Sequence, residues 1–183
     1  TKRQVKKKSG VFGWEVYSND AHYRAHKKRT AGLVADDGAG EVPLPLAQAV
    51  VACPGIASGE IALSSQRAME RAAAGHAVVL VRRDAETSDI AALEHSVGLL
   101  TQRGARTSHA SVVARQMNKV CLVGCEGLAI DLGAGVVHLG DQTLAEGESI
   151  TLDGEQGHVH AGRLSKTRVV DEALAERLRR LKA

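Results

Sequence analysis

Apolar positions along the chain recur in two spacings, and the alternation between them outlines the folded body. Residues 77–81, AVVLV, form an unbroken apolar run, as in a strand covered on both faces. Residues 49–53, AVVAC, read the same way, and the PGIASG that follows reads as a turn rich in small residues. Residues 64–74 have helical spacing, with Met69, Ala72 and Ala73 inward and Gly75 as the stop. Ser88 is placed to cap a short helix carrying Ile90, Leu93 and Val97 on one side. Beyond Val123 the elements shorten. Residues 135–139, 149–152 and 158–160 read as strands between the turns DLGAG, GDQTLAEGE and DGEQG.

The central stretch, residues 98–124, joins both periods. Residues 97–100 are a short apolar strand, and 101–108 a polar turn with Arg103, Gly104 and Arg106. Ala110, Val113, Ala114 and Met117 fall at i, i+3, i+4 and i+7, which predicts a helix beginning at or just before His109. Thr107 and Ser108 are both natural N-caps, and Asn118 stands where a left-handed residue ends a helix. Residues 120–123 form the next strand. Early alternation of helix and strand, then mostly strands, argues for an α/β sandwich or barrel-like body with helices packed on it.

Composition divides the chain. All of its aromatic side chains other than histidine (Phe12, Trp14, Tyr17, Tyr23) precede residue 24, so the rest must build its core from Ala, Val, Leu and Ile. Charge breaks near the same place: residues 1–30 hold nine Lys or Arg against Glu15 and Asp20, a balance of +7, and the rest balances to −4. The overall +3 is thus a basic arm on a mildly acidic body. Residues 1–46 read as a basic extension and linker, 47–164 as the body, and 165–183 as an amphipathic C-terminal helix with Val170, Leu174, Leu178 and Leu181 on one face. In the extension, VFGWEVY suggests a short strand, yet its composition fits a solvated arm better than a nucleic-acid site. The chain does not begin with methionine, which fits a processed chain or a piece of a longer one. No apolar run approaches the roughly 20 residues of a membrane span, so a cytoplasmic protein with no membrane partner is expected. Cys53, Cys121 and Cys125 make an odd count without a disulfide framework, and read as small apolar residues in a reducing setting.

The first turn of the predicted helix suits phosphate chemistry. Free N–H groups and the positive dipole end favour an anion there by roughly 0.3–1 kcal/mol. The same end disfavours imidazolium, so His109 should tend towards the neutral, nucleophilic form. Arg103 and Arg106 supply charge-assisted phosphate contacts or are solvated loop charges. His95, His138, His158 and His160 read as surface or strand positions. His158 and His160 would share a strand face, as metal sites require, but no further ligand is visible in the sequence, and no metal is expected.

RGARTSHASVVAR followed by KVCLVGC resembles the signature of the phosphohistidine, or swivelling, domain of the phosphoenolpyruvate-utilising enzymes, with the pyruvate phosphate dikinase branch nearest. CPGIASGEI, VVLVRRDAETSDI and GESITLDGEQGHVHAG resemble three further motifs of that family, in the family's order, so the likeness runs from about residue 50 to 162. Ala105 stands where the family has a second glycine. The resemblance implies a compact α/β/α swivelling fold and a phosphoryl carrier whose phosphorylated residue is His109. Arg103, Gly104, Arg106, Thr107, Ser108 and Ala110 would bind phosphate or support the histidine, and Thr107 would be a regulatory phosphorylation site. It implies partners, on other domains or chains: an ATP-grasp nucleotide site and a phosphoenolpyruvate or pyruvate site on a barrel. No cofactor is expected on this chain, and Mg²⁺ belongs at the partner sites. The alternative is a non-catalytic interaction module with the same fold, using its basic arm.

Overall fold

From residue 49 onward each apolar run expected as a strand is a strand in the computed structural model, which describes residues 33–35 and 42–166. In chain order the elements are β1 (Leu33–Ala35), β2 (Ala47–Cys53), β3 (Ile56–Ala62), α1 (Ser65–Ala73), β4 (Val78–Arg82), α2 (Ile90–His95), β5 (Gly98–Thr101), α3 (His109–Gln116), β6 (Val120–Glu126), β7 (Leu128–Asp131), β8 (Val136–Leu139), β9 (Gln142–Ala145), β10 (Ser149–Asp153), β11 (His158–Ala161) and β12 (Leu164–Lys166). A 3₁₀ turn, Thr87–Asp89, leads into α2.

Seven strands close a barrel in the order β10-β11-β2-β6-β5-β4-β3. β3, β4, β5 and β6 are parallel, and each step between them crosses over through one helix. Right-handed crossovers that advance in one direction put every helix on the same side of the sheet. Ala68 of α1, Ala92 and Leu93 of α2, and Ala110 and Ala114 of α3 accordingly share one apolar cluster with Val78, Leu80, Leu99, Cys121 and Val123. The alternate residues, among them Val79, Val81, Leu100, Leu122, Ile150, Leu152 and Val159, fill the barrel interior together with Leu128, Val137, Leu139 and Leu144 of the antiparallel β7-β8-β9 sheet. The mixed α/β class holds. The α/β/α layering does not, because the three α-helices described all lie on one face and a small sheet completes the interior core.

Several local expectations shift. In PGIASG only Pro54 and Gly55 turn, and Ile56 onward is strand β3. Its small residues serve close approach: a Cβ on Gly59 would lie 2.8 Å from the Ala77 carbonyl oxygen. In α1 the inward positions are Ala68 and Ala72, while Met69 and Ala73 are exposed. Ser88 does not cap α2. Glu86 and Asp89 form a reciprocal capping box around the preceding 3₁₀ turn instead. β7 and β9 are strands that the apolar pattern does not predict, and β9 lies inside what reads as a turn.

Two short strands flank the barrel. Leu33–Ala35 pair antiparallel with Leu164–Lys166, and the Leu46 N–H donates to the Val159 carbonyl at 2.7 Å. The basic clusters, the VFGWEVY segment and the amphipathic C-terminal helix lie outside the described residues.

All three cysteines are buried free thiols. Cys121 faces the helices, whereas Cys125 faces the barrel interior, because Gly124 at φ 59 reverses the alternation of β6. Burial pushes the Cys121 thiol up from 9.0 to about 11, against the lowering influence of the Ser111 hydroxyl, and Cys125 to about 12, with Glu126 adding to the rise. Above pH 9.0 the unfolded chain gives up these protons while the folded chain keeps them until about 11 and about 12, so stability falls as pH climbs through that window. Urea unfolding at about pH 10.5 should show a loss near 2 kcal/mol per thiol relative to pH 8. Replacing Cys121 and Cys125 by alanine should flatten that pH slope, and an unchanged slope would refute the assignment.

Candidate active site

The parallel strands end on one rim of the barrel, and the loops after β4 and β5 lie side by side there. Gln102 N–H donates to the Arg82 carbonyl at 3.0 Å and Arg103 N–H to the Arg83 carbonyl at 2.8 Å. Ligand sites of open α/β sheets form at this end of parallel strands. Gly104, at φ 121, takes a conformation that side chains disfavour. Ala105 has no positive φ, so the turn accepts alanine where a second glycine stands in the resembling motif.

From Ala105 the chain tightens into α3. The Ala105 carbonyl accepts from Ser108 N–H at 2.9 Å and from Ser111 Oγ at 3.0 Å. Ser108 is the N-cap: its Oγ accepts from Ser111 N–H at 3.3 Å and lies 2.8 Å from Ser111 Oγ. His109 is the first residue of α3 and is exposed. The first intrahelical bond runs from Val112 N–H to the Ser108 carbonyl at 3.0 Å. The amides of His109 and Ala110 therefore have no acceptor within the helix and point towards any anion held at its start. Asn118, at φ 54, ends the helix in the left-handed conformation that the sequence predicts.

The structure brings the sequence-predicted residues to one loop and helix start. Arg103, Gly104, Arg106, Thr107 and His109 are exposed, Ser108 is half-buried, and Ala110 is buried beneath them. Among the described residues neither Arg103 nor Arg106 makes an ion pair, and both are exposed. Arg115 does more than decorate the helix. Its Nη2 donates to the Arg106 carbonyl at 2.7 Å, strapping the loop to α3.

Two supporting residues escaped the sequence reading. Ser111 is fully buried and ties the loop to the cap. Asp89 is also buried. It accepts from Arg82 Nε at 3.1 Å, from Glu86 N–H at 2.9 Å and from Ser65 Oγ. Arg82 in turn donates to the Leu63 carbonyl at 3.1 Å. This network fixes the backbone at Arg82, to which the His109 loop is bonded. ETSD so close after a strand was a usable cue, since a carboxylate three residues beyond a glutamate can close a capping box.

The other histidines separate. His95 and His138 are exposed, and His138 Nδ1 lies 2.8 Å from Thr143 Oγ1. His158 and His160 are strand residues but not surface ones: both are buried in β11. The third partner that the sequence did not reveal is Asp153, whose carboxylate groups with the two rings. Among the described residues no helix is long and apolar enough to cross a membrane.

Residues 75–157 match the family described as "PEP-utilising enzyme, mobile domain". Pyruvate, phosphate dikinase 2 of Oryza sativa subsp. japonica is 39% identical over 119 residues, which is 65% of this chain and 13% of that protein. Pyruvate, phosphate dikinase of Clostridium symbiosum is 40% identical over 124 residues, 68% of this chain and 14% of that one. The chain thus spans only 13% to 14% of the length of these relatives. A solution structure of Enzyme I aligns with 58% of this chain and 38% of its own at 25% identity, with a TM-score of 0.34.

Proposed function

We propose, from the match of residues 75–157 to the mobile domain of the PEP-utilising enzymes, that this chain carries such a domain and is a phosphoryl carrier whose carrying residue is His109. The observation that supports the reading most directly is the exposed His109 at the capped start of α3, with Arg103 and Arg106 on the adjoining loop. A neutral ring nitrogen of His109 attacks the phosphorus of a donor. An N–P bond forms as the P–O bond to the leaving group breaks, and the ring keeps the proton on its other nitrogen. The His109 and Ala110 amides and the two arginines stabilise charge on the phosphoryl oxygens. Delivery reverses the step at an acceptor oxygen.

The remaining machinery belongs elsewhere under this reading. Donor and acceptor sites are a nucleotide-binding domain of the ATP-grasp type and a phosphoenolpyruvate- or pyruvate-binding barrel, each with its own Mg²⁺ to neutralise transferring phosphates. The chain is then a phosphotransferase component and not a complete catalyst, working in the cytoplasm. A phosphate on the exposed Thr107 would set like charge beside His109 and silence it.

The test is direct labelling. The purified chain is incubated with a pyruvate phosphate dikinase lacking its own carrier histidine, with labelled phosphoenolpyruvate or ATP. Acid-labile, alkali-stable label on this chain is the expected result, and the effective donor identifies the half-reaction. A folded chain that takes label from neither donor would sink the carrier reading in favour of an interaction module.

A further inference from the structure

We propose that Asp153, His158 and His160 form a buried site for a divalent first-row transition metal, with Zn²⁺ as its representative occupant. The site is separate from His109 and does not depend on the carrier reading. One hairpin builds it. Asp153 and His158 are directly paired residues of β10 and β11, and His160 follows two residues on, on the same face of the strand. Val159 between the histidines points into the barrel core, so both rings lie on the barrel's outer side. All three are nonetheless shut from solvent: Asp153 is 2% exposed, His158 5% and His160 0%. One ligand atom from each lies within 4.8 Å of the others.

The donor set suits such a cation. Two imidazoles and one carboxylate are the ligands that Zn²⁺ and its neighbours accept, with three protein ligands leaving a further position open. Buried carboxylates are paired or coordinate metals, since an isolated buried charge is costly. The tautomer of His160 is set for ligation. Its Nδ1 lies 3.0 Å from the Pro43 carbonyl oxygen, which can only accept, so Nδ1 carries a proton and Nε2 is the nitrogen that would ligate. A ligating histidine usually donates its other N–H to such an acceptor. Asp153 is oriented as well. Its Oδ1 accepts from Glu155 N–H at 2.9 Å and Gln156 N–H at 3.1 Å, and Gly154 N–H anchors the turn to the Gly55 carbonyl at 2.7 Å.

The fit needs only a small contraction. Two imidazoles on one tetrahedral ion have ring centroids about 5.2 Å apart; those of His158 and His160 are 6.1 Å apart at an interplanar angle of 77°. The ligand atoms, within 4.8 Å of one another, would likewise draw in to about 3.3 Å. The rival occupant is a proton, which would make the cluster an imidazolium–carboxylate pair. A metal would instead staple the hairpin and, through Pro43, the segment that enters β2.

The deciding experiment uses the full chain without a histidine affinity tag, stripped with chelator and titrated with Co²⁺ and then Zn²⁺. One equivalent of Co²⁺ should bind, give the visible d–d bands of a low-coordinate N/O site, and be displaced by Zn²⁺, with a rise in melting temperature. Asp153→Asn should weaken binding by about tenfold or more, and His158→Ala should abolish the bands. His109→Ala and His76→Ala should leave them unchanged. Both site variants are chosen because they leave His160 and its Pro43 bond in place, and circular dichroism establishes that each is folded. Absence of stoichiometric Co²⁺ uptake by the wild-type chain would overturn the proposal. So would uptake that Asp153→Asn and His158→Ala do not alter, or that His109→Ala removes.

Discussion

His109→Ala should abolish acid-labile phosphoryl label on the chain while leaving its fold and stability intact. The prediction is sharp because the two effects separate at this residue. His109 is exposed, and the cap that holds the start of α3 belongs to Ser108. Alanine is also the better helix former, so any change in the urea midpoint should correspond to less than about 0.5 kcal/mol. A phosphoramidate is lost in acid and kept in alkali, whereas a phosphate ester on Thr107 or Ser108 survives acid. The stability of the label to acid therefore names the acceptor. Label persisting in His109→Ala at the wild-type level would remove His109 from the role assigned to it, and acid-stable label would move attention to the two hydroxyls.

The second large effect is on stability. Asp89→Ala should lower unfolding free energy by about 3 kcal/mol, because removing one partner of a buried ion pair strands the other. The Arg82 and Asp89 side chains are 22% and 4% exposed, so the guanidinium cannot simply turn to water. The variant also deprives Glu86 N–H and Ser65 Oγ of their acceptor. Domains of this size are held by about 5–15 kcal/mol, so the loss is a large share of the total. Asp89→Asn, which keeps the shape but not the charge, should fall between wild type and alanine. Equal urea midpoints for wild type and Asp89→Ala would show that the network is not the brace inferred from its geometry.

The candidate site was the most legible part of the sequence, and the reason is local. A first-turn position, an N-cap and a left-handed stop are read from neighbouring residues, and Ser108, His109 and Asn118 take those places. Facing was harder. Period alone places Met69 and Ala73 inward, but a helix of nine residues needs only a narrow buried stripe, and Ala68 and Ala72 supply it. β7 and β9 have four residues each, too few for alternation to rise above their turn-like composition. Ser111 and Asp89 were missed because their partners, Ala105, Arg82 and Ser65, are brought to them by folding. Asp153 shows the limit most plainly: its kinship with His158 depends on hairpin register, which composition does not encode.

The pairing of β1 with β12 has a mechanical consequence. Leu33 lies opposite Lys166, so the chain enters and leaves the barrel through two antiparallel strands about 5 Å apart. The body hangs from a single stem. The root of that stem is bolted to the barrel: Leu164 N–H donates to Thr151 Oγ1 at 2.9 Å, and the Leu164 carbonyl accepts from Ser58 Oγ at 2.6 Å, so a pull on either flank is shared by the β1–β12 pair and passed to β3 and β10 together.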